Sequence, residues 1–251
     1  MSALSVSLIA FASVFAGALA GFALRRILPE HHFNEDSKEV IQLGTGLIAT
    51  MAALVLGLLT ASAKASFDTF SDELKQSAAT VILLDRNLAG YGPETREIRE
   101  ALRQALGARI ANWNQGAAIG SQNAVDAMPA IEQLQKRLRT LDPKDDSQKA
   151  LQARALDLAA SVATTRWTGL EQSASSVSWP FLIVMLFWLT AIFVSFGLLS
   201  SPNATLVVVL LVCALSVSTS IFLIFELDQP FQGLIHVSSE PLEIAYGQLG
   251  R

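Results

Sequence analysis

Few side chains in this sequence have the types and spacing that catalysis or metal binding requires. His31 and His32 are adjacent in a polar loop, which is poor spacing for two ligands on one helix face, so a solvated loop or a helix cap explains them. The single cysteine, Cys213, excludes a disulfide within the chain. The motifs of phosphate loops, dinucleotide sites, zinc proteases, serine hydrolases and dithiol redox proteins are absent from the sequence. We therefore predict no catalytic residue, no metal site, no cofactor and no enzyme.

Two carboxylates, Glu226 and Asp228, stand at the end of a long apolar run, and Pro230 and Phe231 follow them. Because hydrocarbon excludes charge, both acids are expected at the membrane edge. The proline indicates a rigid turn. The simplest interpretation is a membrane-edge turn that leads into an interfacial tail at 227–251. No charged residue lies deep within an apolar run, which argues against a proton relay.

A second candidate surface consists of small residues within the second apolar run. Gly46, Thr50, Ala53 and Gly57 follow one another at spacings of four, three and four residues, so they share one face of a helix. We call these four residues the small face. Small residues allow helices to pack closely in a membrane. Alternatively, this face lines a pore or neck at the axis of an oligomer, where small side chains leave room. Both interpretations stay open at this point.

The elements that carry these residues are four uncharged apolar runs. Each exceeds the roughly 20 residues that a helix needs to cross a hydrocarbon core of about 30 Å. The backbone must satisfy its own hydrogen bonds in lipid, so each run is predicted to be helical. With 51% apolar and 16% charged residues, the composition also departs from that of a soluble domain. The runs are residues 4–24, 40–63, 179–200 and 204–225.

The first run is predicted to be a retained helix rather than a cleaved signal peptide. Its basic pair, Arg25 and Arg26, follows the apolar segment, whereas a signal peptide carries its charge in front. Within the run, Gly17 and Gly21 form a G-x-x-x-G pair. This pair predicts close packing against another helix.

Residues 64–178 are predicted to form a helical domain outside the membrane. The segment carries 14 basic and 14 acidic side chains, so it has no basic stripe for nucleic acid. Apolar residues at three- and four-residue spacing predict a coiled-coil seam that continues from the second run. Gly90 and Gly92 are predicted to end this helix, and Pro93 to begin the next. Asp85 and Arg86 are expected to form a surface or intradomain ion pair. The seam comprises Phe67, Phe70, Leu74, Val81, Leu84 and Leu88.

Together these elements predict an all-α, polytopic membrane protein with four transmembrane helices and an inserted, coiled-coil-like helical domain. The predicted units are a transmembrane hairpin at 1–63, the helical domain at 64–178, a second hairpin at 179–226 and the tail at 227–251.

Four stretches of the sequence resemble a bacterial family of four-helix membrane proteins that is catalogued as bestrophin-like and has no known function. The likeness covers nearly the whole chain. It implies a multi-pass protein of a bacterial inner membrane, with membrane lipid as a neighbour. The stretches are Gly46–Leu59 (GLIATMAALVLGLL), Leu84–Glu94 (LDRNLAGYGPE), Thr165–Trp167 (TRW) and Glu226–Ile235 (ELDQPFQGLI).

A more distant likeness connects the chain to the bestrophins, which are pentameric anion channels whose second membrane helix lines the pore. Bestrophins carry an acidic-Pro-Phe-Gly stretch after the fourth helix, and Glu226, Pro230, Phe231 and Gly233 are similar, although Gln232 interrupts the Phe-Gly pair. The resemblance implies a homo-oligomeric ion channel, a pentamer that conducts anions, with the small face at the pore. The acidic run of the calcium clasp of animal bestrophins is not matched, so calcium gating is not implied.

The alternative function is a non-conducting membrane sensor or scaffold whose helical domain binds a partner. The sidedness of that domain also stays open. Arg25 and Arg26 favour an inside loop after the first helix, and hence an outside domain, by the positive-inside rule. The resemblance to bestrophins implies a cytoplasmic domain instead.

Overall fold

The structure, a computed structural model, describes residues 2–29, 34–114, 128–172, 179–229 and 233–250. Within these ranges all regular secondary structure is helical, and four helices are long and apolar enough to cross a membrane. The prediction of an all-α protein with four apolar helices is confirmed. The elements are α1 (Ala3–Ile27), α2 (Glu35–Tyr91), a 3₁₀ turn (Pro93–Thr95), α3 (Arg96–Asn114), α4 (Met128–Arg139), α5 (Asp146–Gln172), α6 (Trp179–Leu199), α7 (Ala204–Leu227) and α8 (Glu240–Gln248).

The chain divides into two compact units, and α2 contributes to both. The first unit comprises Met1–Ser66 and Ser176–Asp228, and the second comprises Phe67–Ser175 and Gln229–Arg251. The sequence suggested a separate interfacial tail at 227–251. The structure instead groups the chain from Gln229 onward with the helical unit.

In the first unit, α1 packs against α6 and α7 through small side chains. A Cβ atom added at Gly21 would collide with the carbonyl oxygen of Val194, and one added at Gly197 would collide with the carbonyl oxygen of Ala18. A Cβ at Gly17 would lie 2.9 Å from the Thr190 methyl carbon. The predicted close packing of the G-x-x-x-G pair is therefore confirmed, and the two backbones approach each other where Gly21 faces Gly197.

Hydroxyl groups connect the same helices inside the apolar region. Ser218 on α7 donates a 2.6 Å hydrogen bond to the carbonyl oxygen of Ser7 on α1. The hydroxyls of Ser13 on α1 and Thr190 on α6 lie 3.3 Å apart. At the turn between α6 and α7, the side chain of Asn203 accepts a 2.7 Å bond from the N–H of Leu206 and caps α7.

In the second unit, the predicted seam of α2 forms the core. All of its members are buried except Phe67, which is half-buried. One cluster joins the seam at Phe70, Leu74 and Val81 to Leu106 of α3 and Val162 of α5. A second cluster surrounds Leu84 and Leu88 with residues of α3, α4 and α5, namely Ile98, Leu138, Ala155, Leu158 and Ala159.

The end of α2 follows the sequence prediction. Gly92 has a φ of 137°, a backbone conformation that favours glycine, and Pro93 begins the 3₁₀ turn. The hydroxyl of Thr95, which is fully buried, donates a 2.6 Å bond to the carbonyl oxygen of Leu88 in the last turn of α2. The bond from Thr95 satisfies one of the carbonyl groups that the end of α2 leaves without a helical partner. The chain then reverses into α3.

The C-terminal helix α8 belongs to the core of the second unit. Leu242 and Ala245 have no exposed surface. The indole N–H of Trp113 on α3 donates a 3.3 Å bond to the carbonyl oxygen of Val237. The guanidinium carbon of Arg103 lies 5.2 Å from the centre of the Tyr246 ring, within cation–π distance.

Candidate functional site

The small face of α2 is open in the single chain. Gly46, Thr50, Ala53 and Gly57 are all exposed. A Cβ atom added at Gly46 or at Gly57 would meet no atom within 4 Å. Within the first unit, therefore, no described residue packs against the two glycines that bound this face.

The side of α2 that turns inward is a different one. Its buried or half-buried members recur at spacings of three and four residues, as one helix face requires. At 3.6 residues per turn, the centre of this face lies about 120° from the centre of the small face. The small face therefore points away from the interior of its own unit. The inward residues are Ile41, Thr45, Ile48, Ala49, Ala52, Val55, Leu56, Leu59, Thr60 and Ala63.

A ridge of leucines adjoins the small face and is also exposed. Leu43, Leu47, Leu54 and Leu58 expose between 64% and 75% of their surface. In the most apolar stretch of α2 only 11% of the residues are buried, compared with 28–39% in the corresponding stretches of the other three apolar helices. Among the membrane helices, α2 is thus the one whose apolar surface most needs a partner outside the single chain.

The polar groups of this part of α2 are used within the helix. The hydroxyl of Thr50 donates a 2.8 Å bond to the carbonyl oxygen of Leu47, and Thr60 bonds in the same way to Leu56 at 2.8 Å. The sequence has no charged residue between Val40 and Ala63. The small face is therefore an uncharged, sterically open strip rather than a set of ligands.

Two of the residues predicted to form a membrane-edge turn, Glu226 and Asp228, lie at the end of α7. Glu226 is buried, with 4% of its surface exposed, and Asp228 is half-buried at the C-cap, where its N–H bonds to the carbonyl oxygen of Ile224 at 3.0 Å. Both acidic side chains interact with other groups. Pro230 and Phe231 lie outside the described residues, as do His31 and His32.

The two glycines of the small face do not contact the two acids at the end of α7. The open space around Gly46 and Gly57 excludes contact with Glu226 or Asp228 at those positions. Across the described ranges, no three side chains of His, Cys, Asp or Glu are grouped as a metal site would require.

The sequence predicted an ion pair between Asp85 and Arg86, but the partner of Asp85 in the structure is Arg99. The Asp85 carboxylate is 1% exposed and accepts two bonds from Arg99 of α3, 2.8 Å from Nε and 2.9 Å from Nη2. It also accepts a 3.2 Å bond from the N–H of Gly250. Asp85 does form an intradomain ion pair, but with Arg99 rather than with the neighbouring Arg86. No local signal identifies a partner that lies on a different helix.

The surroundings of Asp85 keep it ionised. Burial alone would raise its pKa, but the hydrogen bonds from Arg99 and from the Gly250 N–H, together with the charge of Arg99, outweigh burial and lower the pKa below its ordinary value. The carboxylate therefore ties α2, α3 and the C-terminal segment together as an anion.

Comparison with known proteins now identifies the family. The model of the bestrophin-like domain matches residues 12–242. A crystal structure of a point mutant of a bacterial bestrophin homolog from Klebsiella pneumoniae superimposes with a TM-score of 0.55 at 15% identity, over 94% of this chain and 96% of that one. At that identity the likeness concerns the fold. No curated protein matches the sequence. Because the family model covers most of the chain, this protein belongs to the bestrophin-like family.

Proposed function

We propose that this chain forms a homo-oligomeric, anion-conducting channel in a bacterial inner membrane, with the small face of α2 lining the pore. Membership of the bestrophin-like family supports an ion channel at the level of the family, rather than an enzyme. The four apolar helices support a multi-pass protein in contact with lipid. Pentameric assembly and a preference for anions are supported by the likeness of Glu226, Pro230 and Phe231 to the stretch that follows the fourth helix of bestrophins.

The openness of the small face carries this proposal. Gly46 and Gly57 have free space where a side chain would begin, and the inward face of α2 is centred about 120° away around the helix. Several copies of α2 around one axis would cover the leucine ridges and turn the small faces toward the centre. Small, uncharged side chains at that axis would leave room for an ion, and the ring would cover apolar surface that the single chain leaves exposed.

The first experiment measures the number of chains in the assembly. The purified protein in mild detergent is analysed by light scattering and by the symmetry of its particles. A closed ring with α2 at the axis is expected. A monomer, or a two-fold dimer with α2 on its periphery, would contradict a shared pore.

The second experiment asks which face of α2 meets the permeating ions. The exposed native thiol is first removed by Cys213→Ser. Thr50→Cys and Met51→Cys are then compared, because both positions are exposed in the single chain but point about 100° apart on the helix. A negatively charged thiol reagent should lower chloride flux into liposomes about fivefold or more for Thr50→Cys, and change little for Met51→Cys. Equal inhibition of both variants would contradict the assignment of the small face to the pore.

The sensor or scaffold function makes a different prediction. It requires an assembly that passes no ions in liposomes at any pH or voltage tested, together with a protein that co-purifies on the helical unit. That pair of results would replace the channel proposal.

A further inference from the structure

The second unit contains a cavity that the proposed channel does not use. It has a volume of about 300 Å³, at the small end of the range for ligand pockets. Four helices form it, and all of its described lining belongs to the second unit. The lining residues are Val81 and Leu84 of α2, Ala101, Leu102, Gln104, Ala105, Leu106 and Arg109 of α3, Ile131, Gln133, Leu134 and Arg137 of α4, and Val162 of α5.

The floor of the cavity is hydrocarbon. Leu84 has no exposed surface, and its neighbours in the floor are each at most 8% exposed. These side chains offer no hydrogen-bonding group, so the floor suits an alkyl chain rather than a polar molecule. The neighbours are Val81, Leu106, Ile131 and Val162.

The rim of the cavity is polar and positively charged. Gln104, Gln133 and Arg137 are exposed, and Arg109 is half-buried, with Nη1 3.4 Å from the Ser77 hydroxyl oxygen. The described lining contains two arginines and no acid. A guanidinium group matches the geometry of a carboxylate. Charge complementarity therefore favours a ligand with an anionic head at the rim.

Arg137 is the side chain best placed to select that head. It lies in the basic last turn of α4 together with Lys136 and Arg139. Within the described part of the chain it forms no ion pair. A carboxylate at the rim would thus meet a solvent-exposed guanidinium without displacing an acid of the protein.

We propose that this cavity binds a single-chain alkyl carboxylate, of the medium-chain fatty acid type, with its hydrocarbon on the floor and its carboxylate at Arg137 and Arg109. This proposal does not depend on the channel, because every described lining residue belongs to the second unit.

The binding test uses sodium octanoate and the full chain in lipid nanodiscs, measured by titration calorimetry with empty nanodiscs subtracted. One saturable site per chain is expected. Hexanoate should bind about 15-fold more weakly than octanoate, because each buried methylene contributes about fourfold in affinity. Uptake that does not saturate, or that equals the uptake by empty nanodiscs, would overturn the proposal.

Matched variants test the contacts to the carboxylate head and to the alkyl chain of the ligand separately. Arg137→Glu should lower the affinity for octanoate about fivefold and leave that for 1-octanol unchanged, whereas Arg139→Glu, outside the lining on the same helix, should change neither. Ala101→Phe, which fills the cavity, should abolish binding, whereas Ala108→Phe, outside the lining, should not. Equal effects of the two arginine variants would overturn the assignment of the carboxylate. Because Arg137 is exposed, that comparison remains decisive even if Ala101→Phe fails to fold.

Discussion

The two parts of α2 differ in how their apolar residues are covered. In the first unit, Leu54 and Leu58 are 75% and 69% exposed, whereas in the second unit Leu84 and Leu88 are at most 1% exposed. Both parts have apolar side chains at helical spacing, so periodicity alone does not distinguish them. The difference shows that the seam of the second-unit part of α2 is covered within one chain, while the first-unit part has surface for lipid or for other copies.

The glycines of the first unit show the same contrast at atomic detail. Gly17 and Gly21 on α1 meet Thr190 and Val194 of α6 directly, whereas Gly57 on α2 meets open space. Small residues at helical spacing thus serve two purposes within one unit. On α1 they bring two backbones together inside the chain, and on α2 they leave a strip that is open in the single chain.

Truncation of one leucine in each part of α2 gives the largest expected effect. Leu84→Ala should lower the free energy of unfolding by about 3 kcal/mol, because it opens a cavity in a fully buried site. Leu54→Ala should change the stability of the dissociated protomer by less than about 0.5 kcal/mol. Thermal and denaturant unfolding of the two variants measures the difference. If both variants lost a similar free energy of unfolding in the dissociated protomer, the proposed difference between the two parts of α2 would be wrong.

Alanine substitutions sharpen the contrast between the two glycine surfaces. Gly21→Ala should cost about 2 kcal/mol, because the new Cβ collides with the backbone of Val194, which cannot move aside as a flexible side chain could. Gly57→Ala should leave the protomer as stable as before and act on assembly or ion flux instead. The melting temperature and the particle size are measured for both. A stable, fully assembled Gly21→Ala protein would contradict the close approach of α1 and α6.

The smallest expected effect concerns the anion that joins α2 to α3. Asp85→Asn should cost about 1.5 kcal/mol near neutral pH, because Arg99 loses its charged partner. The pKa of Asp85 is lowered in the folded state, so its stabilising contribution is complete above its ordinary value of 3.8 and is lost as the pH falls through the lowered value. Stability is therefore measured as the pH decreases below about 4.

An exposed acid on α2 provides the control for Asp85→Asn. Asp72→Asn removes an exposed acid on the same helix that pairs with the neighbouring Lys75, and it should change the stability little. The Asp85→Asn protein should lose less stability in acid than the unmodified chain. If the two lost stability in parallel, the buried ion pair with Arg99 would not be the acid-sensitive contact.

Much of the fold was accessible from the sequence because the signals are local. The apolar runs, the seam from Phe70 to Leu88 and the turn at Gly92 and Pro93 each depend on residues within a few helical turns of one another. For the candidate site on α2, the sequence revealed only the spacing of the small residues. The spacing of Gly46 and Gly57 predicts a shared face, but it leaves open whether that face is packed or free.

The sequence by itself determined the helical class, the four membrane helices and the family, because hydropathy, helical period and motif are properties of contiguous residues. Only the tertiary structure decided which helix Gly21 packs against, that Gly57 stays open, that Asp85 pairs with Arg99, and that α8 completes the second unit. These outcomes depend on which distant side chains meet. Such contacts arise from the packing of whole helices and leave no mark in the local sequence.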